Sequence, residues 1–170
     1  MCEPDQRPTE PEPGESLRIA VGSDHPGYEV KQAVVAVLEQ LGHRVTDMGT
    51  DSAERCDYPD YAERVANAVS AGEADRGVLI CGTGIGMSIA ANKIPGVRAA
   101  VAWDRYSTEV SRSHNDANVL CLGARTNTPQ TILDLVTYWL TVPHEGGRHA
   151  RRISKIQDIE ARNFGASEHG

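Results

Sequence analysis

The sequence predicts an α/β fold: a three-layer α/β/α sandwich around a five-stranded parallel, Rossmann-like sheet. From Leu17 onward, short apolar runs alternate with longer segments whose apolar residues recur every three or four positions. This alternation is typical of a parallel sheet covered by helices on both faces. Hydrophobic residues make up 39% of the 170 residues, and Phe, Trp and Tyr only 5%. We therefore expect a core of aliphatic side chains and alanine.

The first half of the chain contains three predicted strands, over 17–21, 43–47 and 77–81, each followed by a helix. The first helix, over 27–41, has a clear 3.6-residue period. Its predicted inward stripe consists of Val30, Ala33, Val34, Val37, Leu38 and Leu41. The second helix is predicted over 58–71. In the third helix, which is predicted to end near 93, the inward residues are expected to be Ile85, Ile89 and Ala90.

The second half continues the alternation with two more strands. Pro95 and Gly96 turn the chain into a predicted strand over 97–102, and a second strand follows over 119–122. Asp104 is a candidate N-cap for a helix that ends near 113. Thr128 and Pro129 form an N-cap and N1 pair for a helix that ends near 141. The last helix carries Ile153, Ile156 and Ile159 at intervals of three.

Composition sets the domain limits and excludes several functional classes. Residues 1–16 are acidic and proline-rich and are predicted to be disordered, 17–162 to form one domain, and 163–170 to form a flexible tail. A net charge of −7 argues against a general nucleic-acid binder. No apolar segment is long enough to span a membrane, and no secretory signal is visible. The four cysteines form no CxxC pair, so reduced thiols in the cytoplasm are expected.

The most informative motif is Cys81-Gly82-Thr83-Gly84-Ile85-Gly86, which follows the third predicted strand. It places a thiol at the carboxyl end of a strand, beside backbone N–H groups that bind anions and favour a thiolate. A base beside such donors can abstract a proton next to a carbonyl. The alternatives are an inert buried cysteine and a tight turn for helix packing. Met87 replaces the third glycine of the dinucleotide fingerprint, and the chain has no Walker motif.

Two further polar loops are predicted at the same sheet edge. Ser23-Asp24-His25 follows the first strand, and Asp57-Tyr58 lies in the loop after the second. Ligands of open parallel sheets bind beyond the carboxyl ends of the strands. Three loops that converge on one edge therefore indicate a binding site. The alternative for Asp24 is a structural role as a helix cap.

A third group of polar residues lies elsewhere in the predicted topology. The segment from His114 to Asn118 precedes the fifth strand and so belongs at its amino edge, away from Cys81. If His114 is catalytic, we expect either that it reaches the site of a neighbouring subunit or that its helix is unusually placed. Arg148 and Arg152 are four apart on one helix face, where two guanidiniums can bind a phosphate. The alternatives are a helix-ending loop and a solvated basic face.

Together these residues resemble one known family, the type B ribose-5-phosphate isomerases of the ribose/galactose isomerase superfamily. The matching motifs occur in family order between residue 17 and about residue 162. They are Ser23-Asp24-His25, Asp57-Tyr58-Pro59, Ile80-Cys81-Gly82-Thr83-Gly84-Ile85-Gly86, His114-Asn115-Asp116-Ala117-Asn118, Leu122-Gly123-Ala124-Arg125 and Gly146-Gly147-Arg148-His149. Some relatives use a glutamate as base and lack the cysteine. Because this chain has Cys81, it resembles the cysteine branch.

The resemblance implies interconversion of D-ribose 5-phosphate and D-ribulose 5-phosphate through a cis-enediolate, as in the pentose phosphate pathway. It implies that Cys81 is the proton-transfer base, that His114 opens the sugar ring as an acid, and that no metal or other cofactor is needed. Thr83 is a candidate for proton relay. It further implies a homodimer, or a tetramer, with shared active sites. The expected substrate-binding residues are Asp24, His25, Asp57, Tyr58, Gly82, Thr83, Gly84, Ile85, Gly86, Asn115, Arg125, Arg148 and Arg152.

Two alternative functions remain compatible with the sequence. Relatives isomerise allose 6-phosphate or galactose 6-phosphate, so the sugar is not fixed. The galactose 6-phosphate enzymes divide their site residues between two different subunits, whereas this chain carries base, acid and arginines together. A non-catalytic sugar-phosphate sensor is the other alternative, although a sensor needs neither Cys81 nor His114. A nucleotide-binding or redox role is the least supported.

Overall fold

The computed structural model describes residues 15–164 and confirms the predicted α/β sandwich. Five parallel strands form one sheet in the order β2-β1-β3-β5-β4. The strands are β1 Arg18–Ser23, β2 Arg44–Asp47, β3 Arg76–Cys81, β4 Ala99–Val101 and β5 Val119–Gly123. The helices are α1 Tyr28–Gln40, α2 Tyr58–Ser70, α3 Ile85–Ala91, α4 Arg105–Ser113, α5 Pro129–Thr141 and α6 Gly147–Phe164, with a 3₁₀ turn at His25–Gly27.

Most of the two predicted tails lies outside the described residues. At the C-terminal end, helix α6 runs two residues past the predicted domain boundary, to Phe164. At the N-terminal end, the Ser16 hydroxyl donates a hydrogen bond to the Gly42 carbonyl at 2.7 Å. Between residues 15 and 164, none of the helices combines the length and the apolarity that crossing a bilayer requires.

The sheet is buried on both faces, which explains the nearly continuous apolar runs of β1, β3 and β5. One core lies under α1 and α5 and contains the fully buried Trp139. The other lies under α2 and α3 and contains Met87 and Cys121. The Trp139 indole N–H donates to the Ser111 hydroxyl at 3.0 Å, so its polar atom is satisfied inside the core.

The predicted orientation of α3 is wrong. Ile85 and Ile89 are 55% and 58% exposed, Ala90 is only partly buried, and the residues that face the sheet are Met87, Ser88 and Ala91. The helix has seven residues, too few to fix its rotation when apolar side chains occur on every face. Leu41 is likewise 51% exposed, because α1 ends one residue before it.

Both predicted N-caps are confirmed. The Asp104 carboxylate accepts the Ser107 N–H at 2.7 Å, and the Ser107 hydroxyl accepts the Asp104 N–H in a capping box. The Thr128 hydroxyl accepts the Thr131 N–H at 3.1 Å. Each cap satisfies a helix N–H that has no intrahelical acceptor. These local bonds explain why sequence alone located the starts of α4 and α5.

Candidate active site

Three loops meet at the carboxyl edge of the sheet because β1, β3 and β5 are neighbours. The Asp24 N–H donates to the Ile80 carbonyl at 3.2 Å, which joins the loop after β1 to β3. The Ala124 N–H donates to the Cys81 carbonyl at 2.8 Å, and the Arg125 N–H to that of Gly82 at 3.0 Å. The backbone thus fixes the relative positions of Asp24, Cys81 and Arg125.

The Cys81 thiol lies at the end of β3, almost fully buried. Its Sγ accepts the Gly84 N–H at 3.1 Å, a bond that a thiolate accepts more strongly than a thiol. Cys121, on the neighbouring strand β5, is completely buried in the core, and burial raises the pKa of its thiol. Cys121 is therefore a neutral core residue, as its apolar strand predicts, and the two thiols have different environments.

The glycine loop combines a tight turn with an open surface. Gly84 has a φ of +81°, and a Cβ there would lie 3.1 Å from the backbone of Cys121 and Leu122. Glycine is therefore required for packing on β5. Thr83 is exposed, and its hydroxyl accepts the Ile85 N–H at 3.3 Å. A Cβ at Gly82 would lie 3.4 Å from the Arg125 side chain.

Gly86 leaves room for the Tyr58 ring, since a Cβ there would lie 2.6 Å from ring carbons Cε2 and Cζ. We therefore expect Gly86→Ala to displace this half-exposed ring, raise KM, and lower kcat/KM by about 10- to 100-fold. In a Tyr58→Ala background the same substitution should have little further effect. Steady-state kinetics of the single and double variants test this. Additive losses would show that Gly86 acts independently of Tyr58.

The Asp24 side chain is buried, 6% exposed, and makes no helix-capping hydrogen bond. Within the described residues, its Oδ1 and the Ser23 hydroxyl have no hydrogen-bond partner. Burial raises the pKa of Asp24, and this rise is opposed by the nearby His25, by the Gly27 backbone N–H and by Arg125. Buried polar atoms normally have partners, so these two atoms indicate a place for a polar ligand. Ser23 was not among the predicted binding residues.

Replacing Asp24 with asparagine is expected to stabilise the protein and weaken substrate binding. Because the folded-state pKa is raised, the ionised carboxyl costs stability above that pKa, and unfolding free energy increases as pH falls through it. Asp24→Asn should raise Tm at neutral pH by a few degrees and increase KM. Thermal unfolding and kinetics measure both effects. A lowered Tm with an unchanged KM would assign Asp24 a structural role.

The structure places His114, Asn115, Arg148 and Arg152 apart from Cys81, at the amino edge of the sheet. His114 is the C-cap of α4, and its ring stacks on that of His149 with centroids 4.0 Å apart. The Arg148 Nε–H donates to His149 Nε2 at 3.2 Å. A single chain therefore assembles two groups of predicted site residues, one at each sheet edge.

His149 belongs to the second group but was not among the predicted site residues. Its side chain is buried, and the pKa of His149 is lowered, first by burial and then by His114 and Arg148. The sequence feature that could have identified His149 as a site residue is its place in the Gly146-Gly147-Arg148-His149 motif. The stacking partner, 35 positions earlier, leaves no local pattern in the sequence.

A second unpredicted feature holds the segment that carries His114 and Asn115. Asp116 adopts a left-handed backbone with φ +46°. Its carboxylate bridges Arg112 at 2.6 Å and Arg98 at 2.8 Å. Arg98 also donates to the Asn115 and Asp116 carbonyls. These charge-assisted bonds fix the orientation in which His114 and Asn115 leave α4.

Comparisons with known proteins show which proteins this chain is similar to. Ribose-5-phosphate isomerase B of Escherichia coli is 50% identical over 145 residues, which cover 85% of this chain and 97% of the E. coli protein. The structure of Clostridium thermocellum ribose-5-phosphate isomerase B matches with a TM-score of 0.85 and 50% identity, over 86% of this chain and 99% of that one.

A structure from Mycoplasma genitalium, ribose-5-phosphate isomerase B with bound ribulose-5-phosphate, matches with a TM-score of 0.83 and 40% identity. The match covers 85% of this chain and 97% of that one. Residues 19–156 match the sequence profile described as Ribose/Galactose Isomerase. The matched range contains the glycine loop, both groups of predicted site residues and all of the sheet except the first residue of β1. The chain therefore belongs to the ribose/galactose isomerase family.

Proposed function

We propose that this protein is an aldose–ketose isomerase that interconverts D-ribose 5-phosphate and D-ribulose 5-phosphate. The observation that carries the proposal is the buried Cys81 thiol, which is held at the sheet edge by the Gly84 N–H. Support comes from the 50% identity to E. coli ribose-5-phosphate isomerase B and from the relative that binds ribulose-5-phosphate.

The reaction begins with ring opening, because a furanose has no carbonyl and cannot enolise. In our proposal His114 donates a proton to the ring oxygen as the C1–O4 bond breaks, the anomeric hydroxyl releases its proton to water, and the aldehyde forms. The Cys81 thiolate then removes the C2 proton and leaves a cis-enediolate. Return of that proton to C1 gives the ketose. No electron leaves the sugar, so the chemistry needs no redox cofactor.

The developing oxyanion needs hydrogen-bond donors. Gly86 and Met87 lie in the first turn of α3, where backbone N–H groups have no intrahelical acceptor. We assign stabilisation of the enediolate to these groups, since loss of one such donor costs about 10²- to 10³-fold in kcat. The exposed Thr83 hydroxyl can transfer a proton between O1 and O2. Asp24 and His25 are assigned to the sugar hydroxyls.

The separation of the two residue groups leads us to propose a homodimer with shared sites. His114, Asn115, Arg148 and Arg152 of one copy would complete the site around Cys81 of the other. Exposed large apolar side chains mark interaction surfaces when they cluster. The exposed large apolar side chains of this chain include Ile85 and Ile89 next to the glycine loop, together with Trp103, Tyr106, Ile156, Ile159 and Phe164. A reduced Cys81 also fits the cytoplasm.

Turnover of D-ribose 5-phosphate by purified, reduced protein tests the proposal, with EDTA present and with D-allose 6-phosphate as the competing substrate. We expect fast pentose turnover that EDTA does not change. A higher kcat/KM for the hexose phosphate would change the assigned sugar and keep the chemistry. Binding of both sugars without turnover would contradict the proposal and favour a sensor.

A further inference from the structure

Three side chains with metal-binding atoms converge at the amino edge of the sheet: His114, Glu145 and His149. Glu145 Oε2 lies 3.9 Å from His114 Nε2 and 3.6 Å from His149 Nε2. The three candidate ligand atoms all lie within 4.8 Å of one another. Backbone contacts hold the cluster together, because the Glu145 N–H donates at 3.0 Å to the carbonyl of Ser113, next to His114.

We propose that this cluster binds Zn²⁺ and that the bound ion inhibits the enzyme. A cation equidistant from the three atoms would lie no more than about 2.4 Å from each, against zinc bond lengths of about 2.0–2.2 Å to nitrogen and oxygen. Two imidazoles and one glutamate are the ligand set of zinc sites that keep a fourth position open. The required contraction is a few tenths of an ångström.

Zinc binding requires both imidazole rings to rotate out of their stack. The two rings are nearly parallel, with an interplanar angle of 10°, so a cation between them lies out of the plane of both. They must tilt toward each other, and His114, which is one-third exposed, has room to do so. The Arg148 Nε–H must leave His149 Nε2, and Arg148 is exposed and can turn to solvent.

The consequence for catalysis rests on the proposed function. A His114 nitrogen bound to zinc has no proton to give to the ring oxygen, and the displaced Arg148 is no longer placed for phosphate. Zinc should therefore inhibit turnover of ribose 5-phosphate, whereas the uninhibited reaction needs no metal. Glu145 is the informative ligand to change, because it is exposed and has no assigned part in catalysis.

Metal binding is measured first without reference to activity, by Co²⁺ absorption and by Zn²⁺ calorimetry on chelator-treated protein. The measurements use the Cys81→Ala chain, so that its thiol contributes no sulfur ligand. Glu145→Gln in that background should weaken binding at least about tenfold. The control Glu63→Gln, at an exposed carboxylate on α2, should leave binding unchanged. Failure to bind either ion, or equal affinity with and without Glu145, would overturn the proposal.

Inhibition is then measured in chains that retain Cys81. Glu145→Gln should keep its turnover and need at least about tenfold more free Zn²⁺ for half-inhibition, while Glu63→Gln should follow the parent chain. Equal zinc sensitivity of the two variants would overturn the inhibitory role. If glutamate-dependent zinc binding is found in a chain that turns over no sugar, the zinc site stands and the proposed function fails.

Discussion

Replacing Cys81 with alanine is expected to lower kcat on ribose 5-phosphate by about 10³-fold, within the range that a general base contributes. Alanine fills the end of β3 without strain but has no group that can accept the C2 proton. Cys81→Ser should be similarly inactive, because a hydroxyl is far less acidic than a thiol. The measurement is steady-state turnover, with circular dichroism to confirm folding.

Cys121 provides a matched control for this substitution. It lies on the neighbouring strand, in the same core as Cys81, and is fully buried. Cys121→Ala should lower thermal stability, because it removes core packing, and should leave kcat within a few-fold of the parent value. If Cys81→Ala kept turnover within tenfold, or if both variants lost it equally, the proton-transfer role of Cys81 would be wrong.

Replacing His114 with alanine is expected to lower activity strongly on a sugar phosphate that forms a furanose ring and only slightly on one that cannot. On ribose 5-phosphate, kcat/KM should fall by about 10²-fold, because only the small open-chain fraction can then react. Erythrose 4-phosphate has its O4 esterified and cannot close a furanose ring. Its isomerisation should therefore continue at near the parent rate in the same variant.

A histidine remote from both residue groups is the control for His114. His43 precedes β2, and its Nδ1 accepts the Leu17 N–H at 3.3 Å. His43→Ala should treat the two sugars alike and cost stability more than activity. Equal loss on both sugars in His114→Ala would contradict a ring-opening role and indicate a general contribution to binding.

The strands and the long helices could be predicted from sequence because their apolar periodicity runs over several turns. The rotation of α3 could not, because its seven residues offer apolar side chains in every direction and tertiary packing decides between them. Met87 fills the core under the sheet, while Ile85 and Ile89 remain exposed. This exposed apolar pair lies beside the glycine loop, where the proposed homodimer would cover it.

The candidate site likewise has features that could be predicted from sequence and features that could not. Topology alone predicted that the loops carrying Asp24 and Cys81 would meet, because parallel neighbouring strands end at one edge. It also predicted that His114 would lie elsewhere. The stack of His149 on His114 and the bridge from Asp116 to Arg98 and Arg112 were not predictable, since each joins segments whose proximity depends on the packing of α6 and β4.

In the proposed homodimer, one active site takes Cys81 from one copy and His114 from the other. The most direct test is to co-express Cys81→Ala and His114→Ala chains under different tags and purify the mixed dimer. That dimer contains one site with both residues intact and one with neither. We predict about half of the parent activity on ribose 5-phosphate in the mixed dimer, while each variant homodimer stays nearly inactive. A mixed dimer as inactive as the homodimers would contradict the account.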